Sequence, residues 1–206
     1  MHGRAGHGAM PESGRDAIRA ANVVLTKLYA YANGLNAKRS SVTGITSPTL
    51  NVGLISGGIN TNVVPDKVSI KIDRRMIPEE DVAEVEAQLR QVIESAVVGL
   101  DGIRVEIRRM LLSHALQPRP GHEKLVAALS QHAERVFGEP IEATGVPLYT
   151  DARLYGQAGI PIVLYGAGPR TILESNAKRP DENLVLEDLR RATIVVASAV
   201  HDLIVA

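Results

Sequence analysis

The chain has 206 residues, enough for one large domain or two small ones, and 45% of them are apolar, so a core can form. Lys and Arg together number 23, as do Asp and Glu, which leaves no basic field for nucleic acid and no acidic tail. Five Tyr, one Phe and no Trp offer few surfaces for stacking bases, and the lack of Cys excludes disulfides, thiolate metal sites and a cysteine nucleophile.

The opening stretch, M-H-G-R-A-G-H-G-A-M-P-E-S-G-R-D, lacks the apolar core of a signal peptide, and no apolar run approaches a membrane span. A soluble cytoplasmic protein with neither nucleic acid nor membrane as partner is the expectation. From about Asp16 the spacing of Ile18, Ala21, Leu25 and Leu28 predicts a helix. Residues 32–47 are rich in Gly, Asn, Ser and Thr and read as a loop. A strand follows at Thr49–Ile55.

Gly57 to Arg75 reads as a glycine-softened loop, a turn at Pro65-Asp66, and a strand alternating Val68, Ile70 and Ile72 with Lys71, Asp73 and Arg75. That alternation sets Arg75 on a polar sheet face, with the Asn62 carboxamide on the loop before it. An Asn and an Arg held near each other can grip an amide carbonyl and a carboxylate; a solvated surface hairpin accounts for the same residues. Pro78 with Glu79, Glu80 and Asp81 marks a helix start, acids at the positive end of the dipole. Val82, Val85, Leu89, Val92, Ile93 and Ala96 continue it as an apolar stripe, and Ile103, Val105 and Ile107 alternate with charges as a further strand. With a first strand closing at His7, residues 1–112 spell strand-helix-strand-strand-helix-strand, the order of an α+β ferredoxin-like sandwich.

Gln117-Pro118-Arg119-Pro120-Gly121 is the best domain boundary in the chain. Beyond it the pattern predicts a helix over Glu123–Phe137 with His132 on its apolar stripe, a short strand at Ile160–Tyr165, and a last helix over Leu186–Val205 that is apolar nearly all round. This is thin material for an independent core, so the segment reads as part of a larger α/β layer.

Taken singly, the chemical signals are weak. His7 between glycines fits a loop residue, Thr150-Asp151-Ala152-Arg153 fits a helix cap, and Gly166 with Gly168 fits a plain turn. Taken together and in order, six blocks resemble one family. They are G-R-A-G-H-G-A-M-P-E-S-G-R-D-A-I, G-G-I-N-T-N-V-V-P-D, I-D-R-R, Y-T-D-A-R, G-I-P-I-V-L-Y-G-A-G and A-K-R-P-D-E-N-L. The family is that of the zinc-dependent peptidases and deacylases, among them acetylornithine deacetylase, succinyl-diaminopimelate desuccinylase, aminoacylase and glutamate carboxypeptidase.

The resemblance implies a ferredoxin-like lid and dimerisation domain over 1–115, and over 116–206 the C-terminal portion of an incomplete α/β catalytic domain. It implies a homodimer through the lid and hydrolysis of the amide bond of N-acyl-amino acids or small peptides. In the family, zinc or another divalent metal activates the attacking water. The half of the catalytic domain that supplies most metal ligands and the general base has no counterpart here, and Lys178 stands where the family places its C-terminal histidine ligand. A protonated Lys has no lone pair to donate. The expectation is therefore a chain that binds no metal and is inactive alone. His7 matches a lid histidine that stabilises the oxyanion in the partner subunit's site. Asn62, Arg75, Arg153, Gly166 and Gly168 match residues that hold a small carboxylate substrate. The alternative is a non-catalytic module for dimerisation or for binding a carboxylate ligand.

Overall fold

The computed structural model describes residues 1–168 and 171–205. Contacts divide the chain into one unit of Met1–Ala115 with Gly145–Pro147, and a second of Leu116–Thr144 with Leu148–Ala206.

In the first unit, α1 spans Ala17–Leu35, and its start is set by Asp16, whose carboxylate accepts the amides of Ile18 and Arg19 at 2.8 and 3.0 Å. Ala17, Ala20, Ala21, Val24, Leu28 and Leu35 are buried at helical spacing. The helix outlasts the predicted loop start at residue 32 because Leu35, only 3% exposed, closes that stripe. β2 (Thr49–Gly57) pairs antiparallel with β4 (Val68–Arg75), from Thr49 opposite Arg75 to Gly57 opposite Val68, with an irregularity between Val52 and Leu54. α2 (Val82–Ala96) packs on α1 and on the aliphatic face of this hairpin. Val24, Leu28, Ile93 and Ala96 form the centre, with Leu50, Val52, Ile70, Ile72, Leu89, Val105 and Ile107 around them.

The segment between β2 and β4 departs from the sequence expectation. Pro65-Asp66 does not reverse the chain. It lies extended between β3 (Val63–Val64) and β4, alongside the N-terminal residues. β1 (Gly6–His7) pairs antiparallel with β3, the Gly3 amide donates to the Asp66 carbonyl at 2.7 Å, and Met1 pairs with Val68. The break at Pro65 has a simple cause, since proline carries no amide to donate to the ladder.

The four-stranded sheet of a ferredoxin-like sandwich is not formed among the described residues; there are two sheets of two strands each. The predicted strand over Ile103–Ile107 reduces to one antiparallel bridge, His2 to Arg104. Its alternation is real, because Val105 and Ile107 pack on the core. A mixed α/β unit is what the chain forms.

Glu79 and Glu80 also fall elsewhere than predicted. Asp81 is the N-cap of α2, its carboxylate accepting the Glu84 amide at 2.9 Å. The two glutamates precede the helix and tie loops together. Glu79 accepts from the Ser41 amide and from the hydroxyls of Ser40 and Ser41, while Glu80 binds Arg74 at 2.6 Å and Lys38 at 3.0 Å.

In the second unit, α3 (His122–Phe137), α4 (Ala152–Gln157) and α5 (Leu186–Val205) are helical. α3 and α5 pack together through Ala133, Ala192, Val195 and Ala199, and His132, buried in this contact, meets Asp202 at 2.7 Å. Ile160–Tyr165, predicted as a strand, is irregular and unpaired, since the described residues of this unit contain no strand to receive it. Ile194, Val196, Val200, Ile204 and Val205 on α5 are exposed. No helix among the described residues is long and apolar enough to cross a membrane.

Candidate functional site

His7 is held by the β1–β3 ladder. It pairs with Val63, and the next amide, Gly8, donates to the Asn62 carbonyl at 2.7 Å. A Cβ at Gly8 would lie 2.8 Å from that carbonyl oxygen, so the close approach of the two strands requires glycine there. The His7 ring is exposed, and its Nδ1 accepts the Ala9 amide at 3.1 Å. With Nδ1 occupied as an acceptor, the neutral ring carries its proton on Nε2 and presents it outward as a donor. Asn62 is likewise exposed. Both residues are thus held at one end of the β1–β3 pair, His7 opposite Val63 and Asn62 opposite Gly8.

Arg75 is not brought to this pair. It ends β4, while Asn62 lies beyond the strand's start, and β4 alone spans about 24 Å at the usual antiparallel rise. Its guanidinium Nε donates to the Asp73 carboxylate at 2.8 Å on the same polar face, so part of its capacity is already used. Arg74, one residue earlier and on the core face, is only 6% exposed and pairs with Glu80. Burial pushes the Glu80 carboxyl up, but the hydrogen bonds from Arg74 and then Lys38 outweigh it and leave its pKa lowered.

In the second unit, Arg153 sits in the first turn of α4. Thr150 rather than Asp151 supplies the side-chain acceptor there, its Oγ1 taking the Ala152 amide at 3.3 Å. The Arg153 guanidinium lies 4.9 Å from the centre of the Tyr149 ring and donates to the Tyr149 hydroxyl at 2.5 Å. Its Nε is buried without a partner among the described residues. Gly166 and Gly168 follow the 160–165 segment with open space around them: the nearest atom to a Cβ at Gly166 would be the Gly168 nitrogen at 4.0 Å. Gly166 lines a cleft with Tyr165, Ala192 and Val196, and burial raises the Tyr165 hydroxyl pKa. Lys178 is exposed in a left-handed backbone conformation, φ 64°, its amide donating to Glu182 at 2.9 Å.

The cluster of Glu79, Glu80, Lys38, Ser40, Ser41 and Arg74 was invisible in the sequence reading. Its partners come from positions about forty residues apart, and no local pattern announces that.

Residues 1–100 match the peptidase dimerisation domain of the M20 family. Acetylornithine deacetylase of Myxococcus xanthus is 28% identical over 205 residues, 97% of this chain and 50% of the relative. A putative succinyl-diaminopimelate desuccinylase of Mycobacterium tuberculosis is 26% identical over 181 residues, 86% of this chain and 45% of the relative. Among solved structures, aminopeptidase PepT from Bacillus cereus superposes with a TM-score of 0.62 at 21% identity, covering 96% of this chain and 48% of that one, a likeness of fold. The chain spans about half the length of the curated relatives it matches.

The family is metal-dependent. Among the described residues no three His, Asp or Glu side chains converge, and Lys178 offers an ammonium rather than a lone pair. The donors among the described residues do not fit a zinc site. The chain therefore carries the M20 peptidase dimerisation domain over residues 1–100 and is similar along nearly its whole length to deacylases such as acetylornithine deacetylase.

Proposed function

We propose that this chain is the dimerising, substrate-holding portion of a metal-dependent amidohydrolase that cleaves the amide bond of N-acylated amino acids or small peptides. Two domains serve it, a lid over 1–115 that pairs with a second copy and a portion of the catalytic domain over 116–206. The observation that carries the reading is the separation of His7 and Asn62 from Arg75 by the length of β4. A ligand of amino-acid size cannot bridge about 24 Å, so the two groups serve different sites. In a homodimer each lid lends His7 and Asn62 across to its partner and keeps Arg75 for its own site. On the lid, His7 Nε2–H then serves the oxyanion, Asn62 the substrate backbone and Arg75 a carboxylate. In the second unit, taken by itself, Arg153 is a further carboxylate-binding residue, and Gly166 and Gly168 offer bare backbone to a substrate.

The relatives' names support an acylated amino acid as the ligand class. The reading expects no turnover by the chain alone, since among the described residues no three His, Asp or Glu side chains gather as a metal site. The test is hydrolysis of N-acetyl amino acids by pure protein with added zinc, cobalt or manganese, alongside sedimentation to fix the assembly. The proposal expects a dimer without turnover; metal-dependent turnover by the chain alone, or a strict monomer, contradicts it. A second reading, a non-catalytic dimerisation or carboxylate-binding module, is favoured by Lys178 at the family's ligand position.

A further inference from the structure

On its core face β4 carries Val68, Ile70 and Ile72, and the next residue on that face is Arg74. A guanidinium at the end of an aliphatic series needs a reason. Its partner Glu80 is buried as deeply, the two side chains being 6% and 5% exposed. Burial opposes the charge on Arg74, but Glu80 and then the Tyr31 hydroxyl outweigh it, and the Arg74 pKa is raised. A buried ion pair is often worth no more to stability than apolar residues of similar volume. What apolar residues could not replace are its bonds to the backbone.

Those bonds close around the end of the strand. Arg74 Nη1 donates to the Arg75 carbonyl, and Nη2 donates to Glu80 Oε1 at 2.6 Å. Glu80 Oε2 accepts the Ile77 amide at 3.3 Å, and the Glu80 amide donates to the Ile77 carbonyl at 3.1 Å. Lys38 adds a further hold on Glu80 Oε1 at 3.0 Å, and Ile77 is only 4% exposed. The Arg74 Nε and the Tyr31 hydroxyl are buried without a hydrogen-bond partner among the described residues, so the guanidinium is held through its two outer nitrogens. Arg75 thus stands between two anchored positions, Arg74 before it and Ile77 after it. On the exposed face its own side chain meets Asp73 at 2.8 Å.

We infer that Arg74 and Glu80 are positioning residues for Arg75: the buried pair fixes the backbone at the end of β4, so that the Arg75 guanidinium keeps one direction for a carboxylate. The inference rests on the reading of Arg75 as a carboxylate-binding residue. Arg74 is closed in on the core face and touches no ligand itself; it acts through the Arg75 carbonyl. Glu80 acts one step further back, by holding the Arg74 fork and the Ile77 amide in one plane of contact.

The test replaces both buried charges in the full chain, Arg74→Met with Glu80→Leu, which keeps their bulk and leaves neither charge alone. Two readouts are taken: the NMR signal of the Arg75 Nε–H, whose bond to Asp73 reports its direction, and the affinity for an N-acetyl amino acid relative to its methyl ester. The double variant is expected to unfold like the parent. Its Arg75 Nε–H should exchange about tenfold faster, and its preference for the acid should fall about tenfold. Arg74→Lys, which sets a point charge where the fork was, is expected to move both readouts the same way. If the double variant does not fold, Arg74→Lys decides by the same measurements. An Arg75 signal unchanged in a folded variant overturns the inference, whether or not the acid preference falls. A parent that does not prefer the acid refutes the carboxylate reading, while the Nε–H signal, which needs no ligand, still decides whether the pair positions Arg75.

Discussion

The carbonyl of Asn62 accepts the amide of Gly8 at 2.7 Å, and this backbone bond closes the end of the ladder that carries the exposed His7. Gly8→Ala would thrust a methyl to 2.8 Å from that oxygen. The expected cost is about 1–3 kcal/mol of stability, with rapid exchange of the amide at position 8, which donates to the Asn62 carbonyl, measured by denaturant unfolding and hydrogen exchange. Stability and exchange like those of the parent would show that the ladder does not hold His7.

The start of α1 rests on one carboxylate. Asp16→Ala removes the acceptor of two amides and should cost about 1 kcal/mol. Leu28→Ala empties the centre of the first unit, where Leu28 is 1% exposed, and should cost about 2–5 kcal/mol. Equal losses for the two would contradict the account of where the core lies.

Acid should loosen the loop at 40–41. The Glu79 carboxyl is held at about 2, below the ordinary 4.5, first by the Ser41 amide and then by the Ser41 hydroxyl. Because the folded value is depressed, the contribution is complete above the unfolded value and is lost as pH falls from about 4.5 toward 2. Unfolding of wild type and Glu79→Gln across that window should give curves that converge at the acid end. A constant difference at every pH would refute it.

Asp73 competes with any ligand for Arg75, its carboxylate 2.8 Å from the guanidinium. Asp73→Asn should tighten binding of an N-acetyl amino acid severalfold, and Arg75→Ala should weaken it about tenfold or more, read by NMR titration. Weaker binding in Asp73→Asn would mean that Asp73 orients Arg75 rather than occupying it.

Much of the fold was legible because its signals are local. The Asp16 cap, the stripe through Leu28 and the boundaries of α5 follow from spacing alone. What failed depended on neighbours. Ile103–Ile107 and Ile160–Tyr165 carry strand patterns without a strand to pair with, and Pro65-Asp66 reads as a turn until residues 1–8 are seen lying beside it. At the site, the blocks around His7, Asn62 and Arg153 pointed to residues, yet not to their spacing in space. Asn62 and Arg75 look close in sequence, and an extended strand drives them apart.

The central claim is that this chain holds a free carboxylate with its own arginines. Calorimetric titration of an N-acetyl amino acid against its methyl ester tests it most directly. The account predicts that the acid binds, that the ester does not, and that Arg75→Ala or Arg153→Ala removes the difference. Equal binding of acid and ester, or binding of neither, would contradict it.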